Sequence, residues 1–306
     1  MQHPYNQFSF HPLEIHDRHL LEPILLSDPQ NITGYTFACL MAWNRVFHYE
    51  WTLLSDKCLL FSFLWPEGNK RYLLQPIGEF TDHCQQKLLE QLTALQYEGR
   101  LQNVSHSFLE KHPDFVSRFE IINERGRMNY VYDAGDLATL PGRQYAKKRN
   151  LIRQASHDFP WSAMPLDLSG MAECIELVEK ICFDKQVEKD QGLLQEWLAL
   201  DFTLHHYEEL GLNGSMIKSG DKVIAFSVFE ESDPETAVVH FEKAFPGYKG
   251  LYQLVNQATS KMMLEAGYRY INREEDLDLP GLRKAKLSYY PVELRPAYRL
   301  MFRAQE

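Results

Sequence analysis

The sequence has no apolar run long enough to cross a membrane, and the longest is LLFSFLW at 59–65. Its first residues, MQHPYNQFSFHP, lack the basic and then apolar order of a secretory signal peptide. We therefore expect no transmembrane segment and a cytoplasmic location. Peripheral contact with a membrane stays open.

Cysteine is scarce and irregularly placed. Five cysteines are odd in number and form no C-x-x-C pair, which excludes a disulfide framework and a zinc ribbon. The sequence also has no H-E-x-x-H motif, and the H-x-E at 240–242 lacks a P-C-x-x-C partner. We predict no metal site, and thiols that are reduced and mostly buried.

Positive charge is in deficit. The 306-residue chain has a formal net charge of −10, which disfavours a general nucleic-acid binder because such affinity comes from neutralising phosphates. One segment, GRQYAKKRNLIR at 142–153, is basic and holds no acid. We expect it to attract an anion locally, with Lys148 and Arg149 as candidate contacts and a tRNA as one possible partner.

The same order of predicted helices and strands occurs twice along the chain. In the first half we predict a strand, two helices, three strands, a helix at 81–96 and a hairpin at 118–133. In the second half the same order appears, with three strands before a long helix at 251–267 that stops at a glycine and is followed by the strand at 268–274. The run at 292–302 is predicted to return to the sheet.

This repetition predicts an α/β (α+β) fold built as a tandem duplication of two mixed sheets flanked by helices. We place a first lobe at 1–140 and a second lobe, with the candidate active site, at 141–306. The element order is that of the GNAT acyltransferase fold, in which the strand before the long helix splays from the one after it and leaves an opening for a thioester cofactor. Fold analogy alone carries no function.

One strand, TAVVHFEKA at 236–244, holds the candidate acid/base pair. Strict alternation places His240 and Glu242 together on one face, with apolar residues on the other. A histidine beside a carboxylate can accept a proton from an attacking amine. The alternative is a solvent-facing pair without chemistry.

The loop after that strand, FPGYKGLYQL, carries the candidate cofactor contacts. Gly247 and Gly250 precede a helix start that can hold phosphate, and Lys249 adds positive charge. Tyr252 and Asn256, one turn apart, line the same opening or merely cover the sheet. Because the first-half counterpart places Glu79 and Asp82 at this point, we expect that lobe to have lost such a site.

Charges of both signs crowd the stretch INREEDLDLPGLRKAKLSYYP at 271–291. A solvated strand end and a paired network that binds a polar or anionic substrate are both open. The candidate substrate-binding residues here are Asn272, Arg273, Glu274, Asp276, Arg283, Lys284 and Lys286.

Five motifs, YAKKRNLI, VVHFEKA, GLYQLVNQ, YINREEDL and GLRKAKLSYYP, carry a resemblance to a known family. They resemble bacterial proteins of unassigned activity that are grouped with the C-terminal catalytic domain of phosphatidylglycerol lysyltransferase. The resemblance spans nearly the whole chain and implies a tandem GNAT fold. It also implies a donor that is an aminoacyl-tRNA or an acyl-CoA, and an acceptor that is a small molecule or a lipid headgroup.

Two departures from the family pattern bear on the donor. The loop PGYKGL has no arginine or glutamine at its head, unlike the usual GNAT run R/Q-x-x-G-x-G/A, which weakens coenzyme A as the donor. Asp278 stands where the family usually has glycine. The leading hypothesis is an acyl or aminoacyl transferase in which His240 or Glu242 takes the proton. The alternative is a non-catalytic binding module for an anionic small molecule or lipid headgroup.

Overall fold

The computed structural model describes residues 8–65, 70–94, 99–184 and 190–303. The chain divides into two compact units. Unit 1 comprises Met1–Asn129, Glu275–Asp278 and Arg295–Glu306, and unit 2 comprises Tyr130–Glu274 and Leu279–Leu294. The division therefore falls eleven residues before the expected boundary after 140, and the C-terminal strand belongs to unit 1.

Unit 1 is a mixed sheet with five helices. Its helices are α1 (Arg18–Ser27), α2 (Phe37–Phe47), α3 (Asp82–Ala94), α4 (His106–Lys111) and α5 (Pro113–Val116). Its strands are β1 (His11–Pro12), β2 (Glu50–Ser55), β3 (Cys58–Trp65), β4 (Lys70–Leu74), β5 (Ile77–Gly78), β6 (Arg100–Ser105), β7 (Phe119–Asn123) and β15 (Ala297–Phe302). They lie in the order β1-β2-β3-β4-β6-β15-β7, with β5 paired to β3.

Unit 2 repeats this plan. Its helices are α6 (Ala134–Thr139), α7 (Ala146–Asp158), α8 (Leu168–Asp184), α9 (Gln191–His205), α10 (Leu251–Glu265) and α11 (Pro280–Leu287). Its strands are β8 (Asn129–Asp133), β9 (Ser162–Pro165), β10 (Asn213–Ser219), β11 (Lys222–Asp233), β12 (Thr236–Ala244), β13 (Tyr270–Asn272) and β14 (Glu293–Arg295). The order is β14-β8-β13-β12-β11-β10-β9. Two mixed sheets flanked by helices confirm the predicted fold class.

Two predictions of strand pairing are wrong. The stretch at 118–133 is not a hairpin, because β7 pairs with β15 and β8 pairs with β13 in a different sheet. The run at 292–302 also divides between the sheets, as β14 in unit 2 and β15 in unit 1. Pro296 separates these two strands, and proline has no N–H to continue a ladder. Periodicity marks a strand but does not name its partner.

The predicted helix faces are confirmed where the apolar spacing is regular. Cys84, Leu88 and Leu92 of α3 are fully buried in the core of unit 1. In unit 2, α10 buries Leu251, Leu254 and Val255 against the sheet and is followed by a glycine in the left-handed region.

Cysteine and helix length bear on two further expectations. The four cysteines with described side chains, Cys39, Cys58, Cys84 and Cys174, are buried, as predicted. The side chain of Cys182 lies outside the described residues. Across the described ranges, no helix combines the length and the apolar character needed to cross a bilayer.

Candidate active site

The sheet of unit 2 splays between β12 and β13. These strands pair in parallel from Thr236 and Tyr270 to Val238 and Asn272, where the ladder ends. β12 continues for six residues beyond the last pair, to Ala244, and then turns into α10. β13 itself ends at that pair, so the last six residues of β12 have no ladder partner on the β13 side, and this unpaired region is called the splay.

A β-bulge lies at the start of this splay. On β11, the consecutive residues Val228 and Phe229 pair with Phe241 and Val239 of β12, so His240 is an extra residue in the ladder. A bulge of this kind changes which face each following side chain takes. The expectation that His240 and Glu242 share one face assumes strict alternation, and the bulge interrupts that alternation between the two residues.

The contacts place the two side chains on opposite faces, so that expectation is wrong. Val239 packs with Met263 of α10, and Glu242 reaches Asn256 of the same helix, so both face α10. His240 instead meets Glu230. Glu230 follows Phe229, which packs with the α10 cluster, and adjacent strand residues point to opposite faces.

His240 is held between two carboxylates. Its Nε2 lies 2.6 Å from Glu230 Oε1 and its Nδ1 lies 2.9 Å from Glu274 Oε1, and its side chain is 5% exposed. Ionised carboxylates only accept hydrogen bonds, so two ionised partners require N–H on both ring nitrogens. An imidazolium in that state has no lone pair with which to take a proton from a substrate.

Glu242 is held on the α10 face by two different partners. Its Oε1 accepts from Arg273 Nη2 at 3.0 Å, and its Oε2 accepts from Asn256 Nδ2 at 3.4 Å. The Glu242 side chain is 11% exposed and that of Arg273 15%. Burial by itself lowers the pKa of Arg273, but Glu242, Tyr132 and Tyr289 together more than offset this and the net shift is upward. The Arg273 guanidinium is therefore held in its charged form.

A buried polar row continues from Glu242 across the sheet. Ser215, Ser227 and Glu242 are direct neighbours on β10, β11 and β12. Ser215 Oγ lies 2.6 Å from the hydroxyl of Thr259 on α10. Ser227 Oγ and Asn256 Oδ1 have no hydrogen-bond partner within the described residues. The helix thus covers a polar stripe that ends at the carboxylate.

The two glycines of the loop before α10 differ in what surrounds them. Gly250, the N-cap residue, has φ +86°, and a Cβ there would lie 2.2 Å from the carbonyl oxygen of Leu151. Its lack of a side chain therefore serves packing against α7. Gly247 has φ +98° and open space around it. The helix start has no side-chain cap and no acid in its first turn.

The remaining loop residues lie on the surface near the end of β12. Lys249 is exposed. Tyr252 is 43% exposed, with its hydroxyl at the backbone of Ala244. Of the predicted cofactor contacts, Gly247, Lys249 and Tyr252 are accessible, whereas Asn256 lies on the buried face of α10.

The two basic candidates of α7 have different surroundings. Lys148 Nζ lies 2.7 Å from Ser288 Oγ and 3.9 Å from the centre of the Tyr289 ring. Arg273 lies 5.5 Å from the same ring. Arg149 instead donates to the carbonyl oxygens that follow α6, at Leu140 and 142. Lys148 therefore adjoins the Glu242–Arg273 pair through one aromatic ring, while Arg149 holds a loop.

The predicted substrate contacts at 272–276 separate. Asn272 Oδ1 accepts from the backbone N–H of Glu274, which stabilises the turn after β13. Asp276 lies in unit 1, where it is fully buried and bonds Arg125. Asp278 has φ +57°, a conformation that favours glycine, the residue that the family pattern has here.

The three predicted contacts of α11 also differ. Lys286 is buried, donates from Nζ to the carbonyl of Arg273 at 2.5 Å, and accepts at its own carbonyl from the Tyr132 hydroxyl. It therefore ties α11 to β8 and β13. Lys284 is exposed and Arg283 partly so. These two remain accessible to a substrate.

Sequence reasoning missed four residues of the site: Glu230, Ser227, Ser288 and Tyr289. Glu230 and Ser227 lie on β11, one of the three strands predicted before the long helix, and the correct register of β11 with β12 would have placed them beside β12. Ser288 and Tyr289 stand within the quoted motif GLRKAKLSYYP, but no local pattern indicates that α7 packs against them.

Comparison with known proteins identifies the family. The model of the family "Phosphatidylglycerol lysyltransferase, C-terminal" matches residues 29–301. The chain belongs to this family. The resemblance inferred from the five motifs is thereby confirmed, and the match spans residues of both units.

Solved structures similar to this family member cover nearly its whole length. A conserved protein of unknown function from Bacteroides thetaiotaomicron VPI-5482 is 29% identical, with a TM-score of 0.87 over 97% of this chain and 100% of that one. L-PGS from Bacillus licheniformis is 14% identical, with a TM-score of 0.64 over 95% and 93%.

A third structure is the C-terminal domain of a putative lysylphosphatidylglycerol synthetase from Agrobacterium fabrum. It is 13% identical to this family member, with a TM-score of 0.63 over 95% of this chain and 92% of that one. At such identities the last two show the fold alone. A search of curated protein sequences gives no significant match. The repeated order of elements and the splayed strands of unit 2 agree with the tandem GNAT-like fold.

Proposed function

We propose that unit 2 is an acyl or aminoacyl transferase that moves its acyl group to an amine or hydroxyl acceptor. The family supports a transferase-like function of this kind, and the fold is consistent with it. The observation that carries the proposal is the position of Glu242. A charged carboxylate stands at the splay between β12 and β13, fixed by Arg273 and close to an uncapped helix start.

In this proposal the donor carbonyl enters the opening beyond the last β12–β13 pair. The phosphate-bearing part of the donor rests on Gly247, Lys249 and the first turn of α10, where N–H groups and the helix dipole favour an anion. The acceptor approaches past the accessible Arg283 and Lys284. An aminoacyl-tRNA is the leading donor and acyl-CoA the second, and a lipid headgroup is one candidate acceptor.

Glu242 takes the proton that the acceptor loses as the tetrahedral intermediate forms. Arg273 holds one carboxylate oxygen, so the other points along a fixed direction. His240 is a positioning residue in this scheme, because it bonds Glu230 on β11 and Glu274 after β13 and so ties together the two sides of the splay. The proposal therefore takes Glu242 alone as the base.

The experiment measures transfer from labelled aminoacyl-tRNAs and a panel of acyl-CoAs to amine and lipid acceptors. The substitution E242Q keeps the shape of the side chain and one oxygen that can accept from Arg273, but it replaces the oxygen that accepts from Asn256 with an NH2 group and removes the proton acceptor. We expect turnover to fall about 10²–10⁴-fold while donor binding, followed by melting temperature, is retained. The matched control E173Q changes a glutamate that pairs with Lys218 elsewhere in unit 2, and it should keep full activity.

Two results would overturn the proposal in different ways. Equal turnover in E242Q and the wild type would remove Glu242 as the base. A wild-type protein that binds donors or anionic headgroups but transfers nothing would favour the binding module. Steep weakening of tRNA binding with salt would support the tRNA donor, whereas binding that ignores salt would leave acyl-CoA.

A further inference from the structure

A lysine and a serine meet beside the proposed transfer site. Lys148 stands in the first turn of α7, and Ser288 is the residue at the end of α11. Their side-chain atoms Nζ and Oγ lie 2.7 Å apart. Ser288 is half-buried. Its Oγ accepts from Lys148 Nζ and its hydroxyl donates to the carbonyl oxygen of Ala285 at 2.6 Å, so the hydroxyl must turn to neutral Lys148 before its proton can be taken. The hydroxyl thus contacts an amine while one side of it stays open to solvent.

The surroundings of Lys148 shift its protonation equilibrium towards the neutral form. Desolvation by burial lowers the pKa of its ammonium from 10.5 to about 8, and the cations Arg273 and Lys147 add to the shift. The ring of Tyr289 opposes it, because an aromatic face attracts a cation. Arg273, which comes from the end of β13, is itself paired with Glu242. The amine is therefore partly unprotonated at neutral pH.

We propose that Ser288 and Lys148 form a serine–lysine pair in which the serine hydroxyl accepts an acyl group from an activated ester or thioester. Serine is a weak nucleophile unless a neighbouring base takes its proton, and a lysine is one residue that can do so. In the folded protein the two atoms are already at hydrogen-bond distance. The biological role of this pair rests on the proposed transferase function, but its test does not need the biological donor.

The step balances as follows. Ser288 Oγ forms a bond to the acyl carbon of R–CO–X while neutral Lys148 Nζ takes the hydroxyl proton. The bond from the acyl carbon to X then breaks, and Lys148 returns that proton to the leaving X⁻, which gives the serine ester and HX. An acceptor amine or alcohol next attacks the ester and loses its proton to Glu242, while Lys148, which has taken a proton from solvent, gives it to the leaving serine oxygen. Glu242 then returns one proton to solvent. No oxidant or further reactant is needed.

The experiment uses p-nitrophenyl acetate with the full chain and needs neither tRNA nor coenzyme A. We expect a burst of about one equivalent of nitrophenolate per chain, and a mass gain of one acetyl group that maps to Ser288 by peptide mass spectrometry. The burst rate should rise with pH to a plateau, with a midpoint near the Lys148 pKa of about 8.

The variants separate chemistry from structure. S288A should abolish the burst, and K148M should slow it about 10²–10⁴-fold. K148R keeps a cation beside the hydroxyl but has no accessible neutral form, so it should fail like K148M if Lys148 acts as a base. The controls S169A and K180M change exposed residues of α8 and should leave the burst unchanged.

Several outcomes would overturn the pair. These are the absence of a burst in the wild type, acetylation of Lys148 in place of Ser288, and a K148R variant as fast as the wild type. The variant E242Q should keep the burst even if it loses transfer. Failure of the pair and failure of the proposed base are therefore told apart by the same set of proteins.

Discussion

In each unit, side chains span the gap that follows a parallel strand pair, and these side chains differ in chemistry between the two units. In unit 1, the parallel pairing of β4 with β6 ends at Leu74 and Gln102, and the next residue, Gln75, is fully buried. Its side chain accepts from the backbone N–H of Ser105 at 2.7 Å and donates to Gln30 at 2.6 Å. A neutral amide thus spans the gap between the strands.

In unit 2 the equivalent gap carries ions. Beyond the last β12–β13 pair stand Glu242 and Arg273, both with a small exposed fraction. The helix starts differ in the same sense, because α3 carries Asp82 in its first turn and a Thr81 hydroxyl at its start, whereas α10 carries neither a side-chain cap nor an acid. In unit 1 a neutral amide spans the gap between the strands and a side chain caps the helix. In unit 2 the gap holds an ion pair, and the helix start has neither a side-chain cap nor an acid.

The largest difference should appear when each bridge is broken. R273M leaves the Glu242 carboxylate buried without its cation, and we expect the free energy of unfolding to fall by about 3–5 kcal/mol. Q75L leaves the neutral N–H of Ser105 without its acceptor, and about 1–3 kcal/mol should be lost. Urea unfolding of both variants measures the two values. Equal losses would contradict the distinction between an ionic and a neutral closure.

The glycines before the two helices should behave alike. A Cβ at Gly78 would lie 2.2 Å from the carbonyl oxygen of Lys57, which matches the distance from Gly250 to Leu151. Both glycines also have positive φ. We expect G78A and G250A each to cost about 2–3 kcal/mol in thermal unfolding, and G247A, which meets open space, about 1–2 kcal/mol. A harmless G250A would show that this glycine is not required by packing.

The cap of α3 should contribute less. The Thr81 hydroxyl accepts from the backbone N–H of Cys84 at 3.4 Å. We expect T81A to lower the free energy of unfolding by about 1 kcal/mol, as the loss of an N-cap usually does. No equivalent substitution exists at α10, whose N-cap residue is a glycine. A T81A variant as stable as the wild type would mean that the start of α3 is no better satisfied than that of α10.

The smallest expected effects concern how the free energy of unfolding changes with pH, and they should have opposite signs for one lysine in each unit. The pKa of Lys148 in unit 2 is lowered to about 8, so between there and 10.5 the unfolded chain binds more protons and Lys148 makes stability rise with pH. Glu79 raises the pKa of Lys57 in unit 1, so its contribution is present below 10.5 and is lost as pH rises through the folded value.

These signs are measured as differences from matched variants. Unfolding of the wild type, K148M and K57M is followed from pH 7.5 to 11, and each variant curve is subtracted from that of the wild type. The stability of the wild type relative to K148M should rise with pH, and the stability of the wild type relative to K57M should fall. Two slopes of the same sign would contradict the contrast between a half-buried lysine and an exposed one.

The sequence was a good guide where information is local. Regular apolar spacing predicted α3 and α10, and the order of elements predicted the duplication. The bulge at His240 was not predictable, because it is a property of the register with β11 and leaves no mark on the alternation of TAVVHFEKA. One extra residue was enough to separate His240 from Glu242.

Contacts between residues distant along the chain also could not be predicted from the sequence. Nothing near Ser288 indicates that it meets Lys148, which lies 140 residues away. The same limit explains the strands, since β7 and β8 follow each other in the sequence but pair in different sheets. Charge density at 271–286 suggested one network, but its members separate: Asn272 stabilises a turn, Lys286 ties α11 to neighbouring strands, and Asp276 lies in unit 1.

The position of β15 has a consequence for synthesis. This strand lies between β6 and β7, yet it is translated after every other element of both units. Until it emerges from the ribosome, β6 and β7 have no strand to join them, and each presents an open edge of the kind that promotes aggregation. We expect the first unit to finish folding last, so a nascent chain halted before residue 297 should remain protease-sensitive in the half that was made first.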